Sequence, residues 1–66
     1  MRLYDKSGKE ISLKSTIKDD MGKYRVELGS FERNDGDEII AVGINMGVRK
    51  LLWPERTQVE FELIEE

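Results

Sequence analysis

The chain has no cysteine and no histidine, one proline, one tryptophan and only 8% aromatic residues. Each shortage removes a class of chemistry. Without cysteine there is no disulfide framework, no thiolate nucleophile and no thiolate zinc site. Without histidine the usual general base and the commonest metal ligand are missing. No apolar run approaches the ~20 residues that cross a bilayer. The opening Met1-Arg2-Leu3-Tyr4-Asp5-Lys6 lacks the apolar stretch of a signal peptide. The expectation is a cytoplasmic address without membrane association.

What is present describes a small globular chain. Its 66 residues are 38% hydrophobic and 38% charged, too apolar for a disordered tail and enough for one domain over 1–66. A chain of this size buries only roughly 60% of its unfolded surface. Disulfides or metals often reinforce such domains. Here a homo-oligomer or a docked partner is the expected supplement. The formal net charge is -3, with 11 basic and 14 acidic side chains, an acidic balance that argues against a strong polyanion binder. The cations concentrate before residue 32 and the carboxylates after it.

The apolar period is two. Ile11, Leu13 and Ile17 alternate with polar neighbours, as do Tyr24, Val26 and Leu28, and then Val59, Phe61 and Leu63. Glu38 to Ile44 is nearly continuous and reads as a strand covered on both faces. Turns are expected at Lys6–Lys9, Asp19–Gly22 and Asn34–Asp37, the last with Asp35-Gly36 at a type I′ tip. The reading is all-β: an antiparallel meander of five or six strands, curled into a small barrel or roll.

Register adds detail. Lys18 facing Lys23 brings Ile17 to Tyr24, Lys14 to Glu27 and Leu13 to Leu28. Across the next turn Arg33 meets Glu38 and Phe31 meets Ile40. A bulge at Gly29-Ser30 then keeps Leu28 and Val26 on the core face. Residues 45–57 admit two readings. Either one helical turn near 47–52 ends at Pro54, or Val48–Trp53 and Gln58–Glu65 form a last hairpin with Arg49 facing Glu62. The hairpin is favoured.

Catalysis has little to work with. The hydroxyl candidates Ser7, Ser12, Ser15, Ser30, Thr16 and Thr57 have no histidine to take a proton. Ser15 falls on an inward face, where a bond to backbone explains it. Adjacent carboxylates such as Asp19 with Asp20 read as turns, and Asn34 to Glu38 is too short for a calcium loop. Gly43 to Lys50 lacks the Gly-Lys-Ser/Thr ending of a phosphate loop. No catalytic, metal or cofactor residue is therefore assigned.

Two binding surfaces remain. Trp53 beside Arg49 and Leu51 combines an aromatic anchor with a cation, the residue types enriched at interface hot spots. Ile39, Ala41, Leu51 and Ile64 would add an apolar patch if they align. Lys14, Lys18, Lys23 and Arg25, joined by Arg2, would project from one side of the second hairpin as a nucleic-acid face, with Tyr24 and Phe31 assigned to the core. Leu3-Tyr4-Asp5 and the placement of Trp53-Pro54 before a last strand resemble an SH3 domain. Lys6 stands where that motif has a second tyrosine, and the tryptophan pair is missing, so no family follows. The functional expectation is a non-enzymatic protein-binding module or small accessory or inhibitor protein, acting through a sheet edge or an apolar–charged patch. The alternative is a small-barrel nucleic-acid binder.

Overall fold

The computed structural model describes residues 2–65. In chain order they form β1 (Leu3–Tyr4), β2 (Glu10–Ile11), β3 (Thr16–Asp19), β4 (Gly22–Arg33), β5 (Gly36–Asn45), β6 (Val48–Leu51), helix α1 (Pro54–Glu60) and β7 (Glu62–Glu65). Five strands make one antiparallel sheet in the order β6-β5-β4-β3-β7, and β1 pairs with β2 separately. The expected all-β roll is present. It is not a closed barrel, because β6 and β7 are the two edges and do not pair.

The curl is visible in one ion pair. Lys50 on β6 and Asp19 on β3 are separated by β5 and β4, yet Lys50 Nζ donates to Asp19 Oδ2 at 2.5 Å. Three strand spacings of about 4.8 Å would separate them by about 14 Å in a flat sheet. Coiling closes that distance, and the Lys50 ammonium lies 4.9 Å from the Tyr24 ring centroid on the way.

The concave face holds the main core. Ile17, Tyr24, Val26, Leu52, Phe61 and Leu63 are buried there with Leu3 and Ile11. Each contributes about 1.5–3 kcal/mol by leaving water. Tyr24 and Phe61 meet edge to face at 6.0 Å, the geometry that ring quadrupoles favour.

Asp5 closes one edge of this core. Its Oδ1 accepts from the N–H groups of Ser7 and Lys9 at 2.9 and 2.8 Å, and its Oδ2 accepts from Leu63 N–H at 2.9 Å. Lys6 N–H donates to Phe61 C=O at 2.9 Å. The first turn therefore covers the outer side of β7, which leaves less strand edge open to solvent.

Three expectations are corrected. The second strand is not continuous from Ile11 to Lys18. A turn at Leu13-Lys14 divides it, Lys14 takes φ 73°, and Lys14 N–H donates to Val26 C=O at 2.7 Å. Lys14 and Glu27 still pair at 2.6 Å. At the third turn the tip is Asn34-Asp35, not Asp35-Gly36, and the type I′ turn is absent. The positive φ falls on Gly36 alone, at 125°. Arg33 thus pairs with Gly36, and the ladder runs unbroken to Arg25–Ile44 without a bulge. Gly29 serves packing instead: a Cβ there would stand 2.9 Å from Val42 Cγ1 and Arg49 Nη2.

The third correction lies after β6. Pro54 begins a helix where both readings had it end a helical turn or enter a β-turn. Proline suits the first helical position because the N–H it lacks would have no intrahelical partner. Trp53 is the N-cap, with φ -75° and ψ 145°, and buried Thr57 returns its hydroxyl to Pro54 C=O at 3.1 Å. Arg49 and Glu62 consequently lie on opposite edge strands, β6 and β7, and do not face each other.

Burial alone would raise the Asp5 carboxyl, but its hydrogen bonds from Leu63, Lys9 and Ser7 outweigh that and hold it below the ordinary carboxylate range. At Asp19 burial is again the largest influence and acts upward; the bond from Lys50 and those from Met21 and Gly22 carry the net shift downward. Both pKa values are lower folded than unfolded. Their stabilisation is complete above the unfolded value and is lost as pH falls through the folded one. Urea midpoints should therefore drop on acidification below the ordinary carboxylate range. Asp5→Asn should cost about 2–3 kcal/mol at pH 7 and flatten that acid limb. An acid limb as steep in Asp5→Asn as in the parent would contradict the assignment.

Candidate functional site

Strand β4 has twelve residues and its neighbour β3 has four. Register between them runs from Asp19–Gly22 to Thr16–Arg25. Val26 N–H then donates to Ser15 C=O at 2.9 Å and Val26 C=O accepts from Lys14. Because alternate residues of a strand turn their N–H and C=O to the same side, Leu28, Ser30 and Glu32 point theirs along this edge beyond Lys14. No backbone partner meets them among the described residues. The far half of the β4–β5 hairpin overhangs the sheet.

Side chains on the concave face of that overhang are aliphatic. Leu28 pairs with Ala41, and Ser30 with Ile39. Leu28 is 62% exposed, Ile39 65%, and Leu13 on the neighbouring turn 48%. Together with Leu3 and Ile11 they line a groove of about 480 Å³. One polar rim residue is Glu10, paired with Arg2 at 3.9 Å. Nothing in this lining is a nucleophile poised by a base. The lining offers an apolar surface beside an open strand edge.

The register decides which side chains of β5 line this groove. A shift of one residue in pairing exchanges the faces of a strand. In the observed register Leu28 shares its face with Ala41 and Ile39, while Ile40 and Val42 turn to the convex face. Leu13 and Leu28, expected to be core, are instead groove walls. Of the suspected patch, Ile39 and Ala41 belong to this groove, whereas Leu51 lies on the convex face, paired in register with Val42.

The convex face carries most of the residues singled out from the sequence. Phe31, expected in the core, is half-buried there against Trp53, with rings edge to face at 5.5 Å. Ile40 and Val42 are buried on the same face. Arg49 reaches the space above Gly29, and Leu51 C=O accepts from Arg56 Nη1 at 3.2 Å. Arg49, Leu51 and Trp53 thus follow one another along the convex side of β6 and the segment after it.

The five candidate nucleic-acid residues separate. Lys18 faces Lys23, and Arg25 faces Thr16 on the convex side. Arg2 and Lys14 are engaged with Glu10 and Glu27. Lys18, Lys23, Arg25 and Arg49 share the convex face, and none of them forms an ion pair among the described residues. Ser15 is buried, and its hydroxyl accepts from Ser12 N–H at 3.3 Å.

Compared with known protein families, with curated proteins and with solved structures, the chain matches none.

Proposed function

We propose that this chain is a non-enzymatic protein-binding module, a small cytoplasmic accessory or inhibitor protein that works through the overhanging β4–β5 hairpin. One observation carries the reading. Leu28, Ile39 and Leu13 stand about half or more exposed around a single groove, at 62%, 65% and 48%, next to strand backbone with no partner among the described residues. Aliphatic side chains gathered in this way stay in water at a cost that a docking partner removes. Strand addition would supply directional bonds beside that apolar contact. The groove, on the concave side, takes precedence over the Arg49, Leu51 and Trp53 surface, where Trp53 already packs on Phe31.

The test is affinity capture from source-cell extract with the parent chain and with Leu28→Asp and Ile39→Asp. Both positions are exposed, so the fold should persist, as amide dispersion would verify. A band retained by the parent and lost from both variants is expected. Identical bands from parent and variants would reject the groove. Trp53→Ala run alongside should keep the band, and its loss there alone would move the surface to the convex face.

A second reading rests on the convex cations. Lys18, Lys23, Arg25 and Arg49 share that face without ion pairs among the described residues, and Phe31 and Trp53 are rings on the same side. Cations flanking aromatics suit single-stranded nucleic acid. Anisotropy of a labelled oligonucleotide at about 50 mM salt measures this where non-specific affinity is large. Binding that Lys23→Glu and Arg25→Glu weaken at least tenfold is the supporting result, and no binding by the parent excludes the reading.

A further inference from the structure

We infer that the groove receives an extended peptide segment of alternating aliphatic residues flanked by lysine or arginine, added to the sheet along the open edge of β4. This rests on the protein-binding reading and specifies the partner's chemistry. The backbone term comes first. Leu28, Ser30 and Glu32 present N–H and C=O groups with no backbone partner among the described residues, enough for a short added strand. An incoming strand sends every second side chain to one face. On the concave face those side chains would meet Leu28, Leu13 and Ile39.

Charge then selects among apolar segments. Glu32 and Asp37 are direct cross-strand partners, one step beyond Ser30 and Ile39 on the same face. Both are exposed, and neither has an ion-pair partner among the described residues. Like charges directly opposite on a sheet repel. The neighbouring Arg33 does not relieve them, since it bonds Glu38 at 2.6 Å on the convex face and approaches Asp35 at 3.7 Å. A cation following the aliphatic positions of an added strand would neutralise this pair. A second copy of the chain fits less well. Two β4 edges related by a two-fold axis at Ser30 would set each Glu32 beside the other copy's Leu28 and bring no cation.

The probe is a random twelve-residue displayed-peptide library, selected on the full chain and in parallel on the Leu28→Asp, Ile39→Asp double variant. Peptides enriched only on the parent should carry aliphatic residues at alternate positions with an adjoining Lys or Arg. Their affinity should fall about three- to tenfold on Glu32→Gln with Asp37→Asn, the size expected of two exposed charge contacts. Aliphatic peptides without a basic bias, unaffected by that carboxamide variant, would overturn the inference and leave the groove standing as a protein-binding surface. No enrichment dependent on Leu28 and Ile39 would overturn both. Sedimentation of the unliganded parent as an oligomer that dissociates on Leu28→Asp would also overturn the inference, since a second copy would then occupy the edge.

Discussion

The molecule depends on the β4–β5 ladder, nine matched pairs from Arg25–Ile44 to Arg33–Gly36. It is longer than anything beside it. β3 and β6 have four residues each and cover one end only. That mismatch gives the two halves of the hairpin different fates. The covered half supplies Tyr24 and Val26 to the core, under Leu52, Phe61 and Leu63. The overhanging half keeps the same period and the same residue types but has nothing to bury them against. The exposure of Leu28 and Ile39 is thus a consequence of strand length, and the groove follows from it.

The remaining elements hold the covered end together. Lys50 and Asp19 bridge the coil across two intervening strands, and Lys50 is raised above the ordinary lysine range mainly by its bond to Asp19. Asp5 ties the first turn to β7 from the other side. Such charged groups are costly to bury singly and are kept by their partners. Both act at the sheet's covered end, which frees the hairpin tip from any structural duty there. The tip carries opposed carboxylates and exposed aliphatic side chains, an arrangement that contributes little to folding and suits the binding role proposed for it.

Strand chemistry was legible where the pattern is local. Alternation around Tyr24 and Val26 fixed their face, and Lys18 opposite Lys23 set the β3–β4 register as found. Lys14 with Glu27 followed from the same alignment. The β4–β5 register was not legible, because Asn34-Asp35-Gly36 admits two tips that differ by one residue. Only the backbone shows that Gly36 alone carries the positive φ. That choice moves the pairing by two residues and keeps the faces; the bulge expected at Gly29-Ser30, absent from the observed ladder, is what exchanged the faces of β5 and hid the groove. The helix after Trp53 was missed for another reason. Val59 and Phe61 alternate as in a strand, while Pro54 is compatible with a turn or a helix start; the signal for the second was its position directly before Glu55, an acidic residue in the first turn.

Amide hydrogen exchange along β4 tests the open edge directly. Gly29 and Phe31 turn their N–H groups toward β5 and should exchange slowly, whereas Leu28, Ser30 and Glu32 should exchange at rates near those of an unstructured chain. An alternating fast and slow pattern over residues 28–32 is the expected result. Uniform protection of all five amides in the isolated protein would mean the edge is already covered, and would contradict the account.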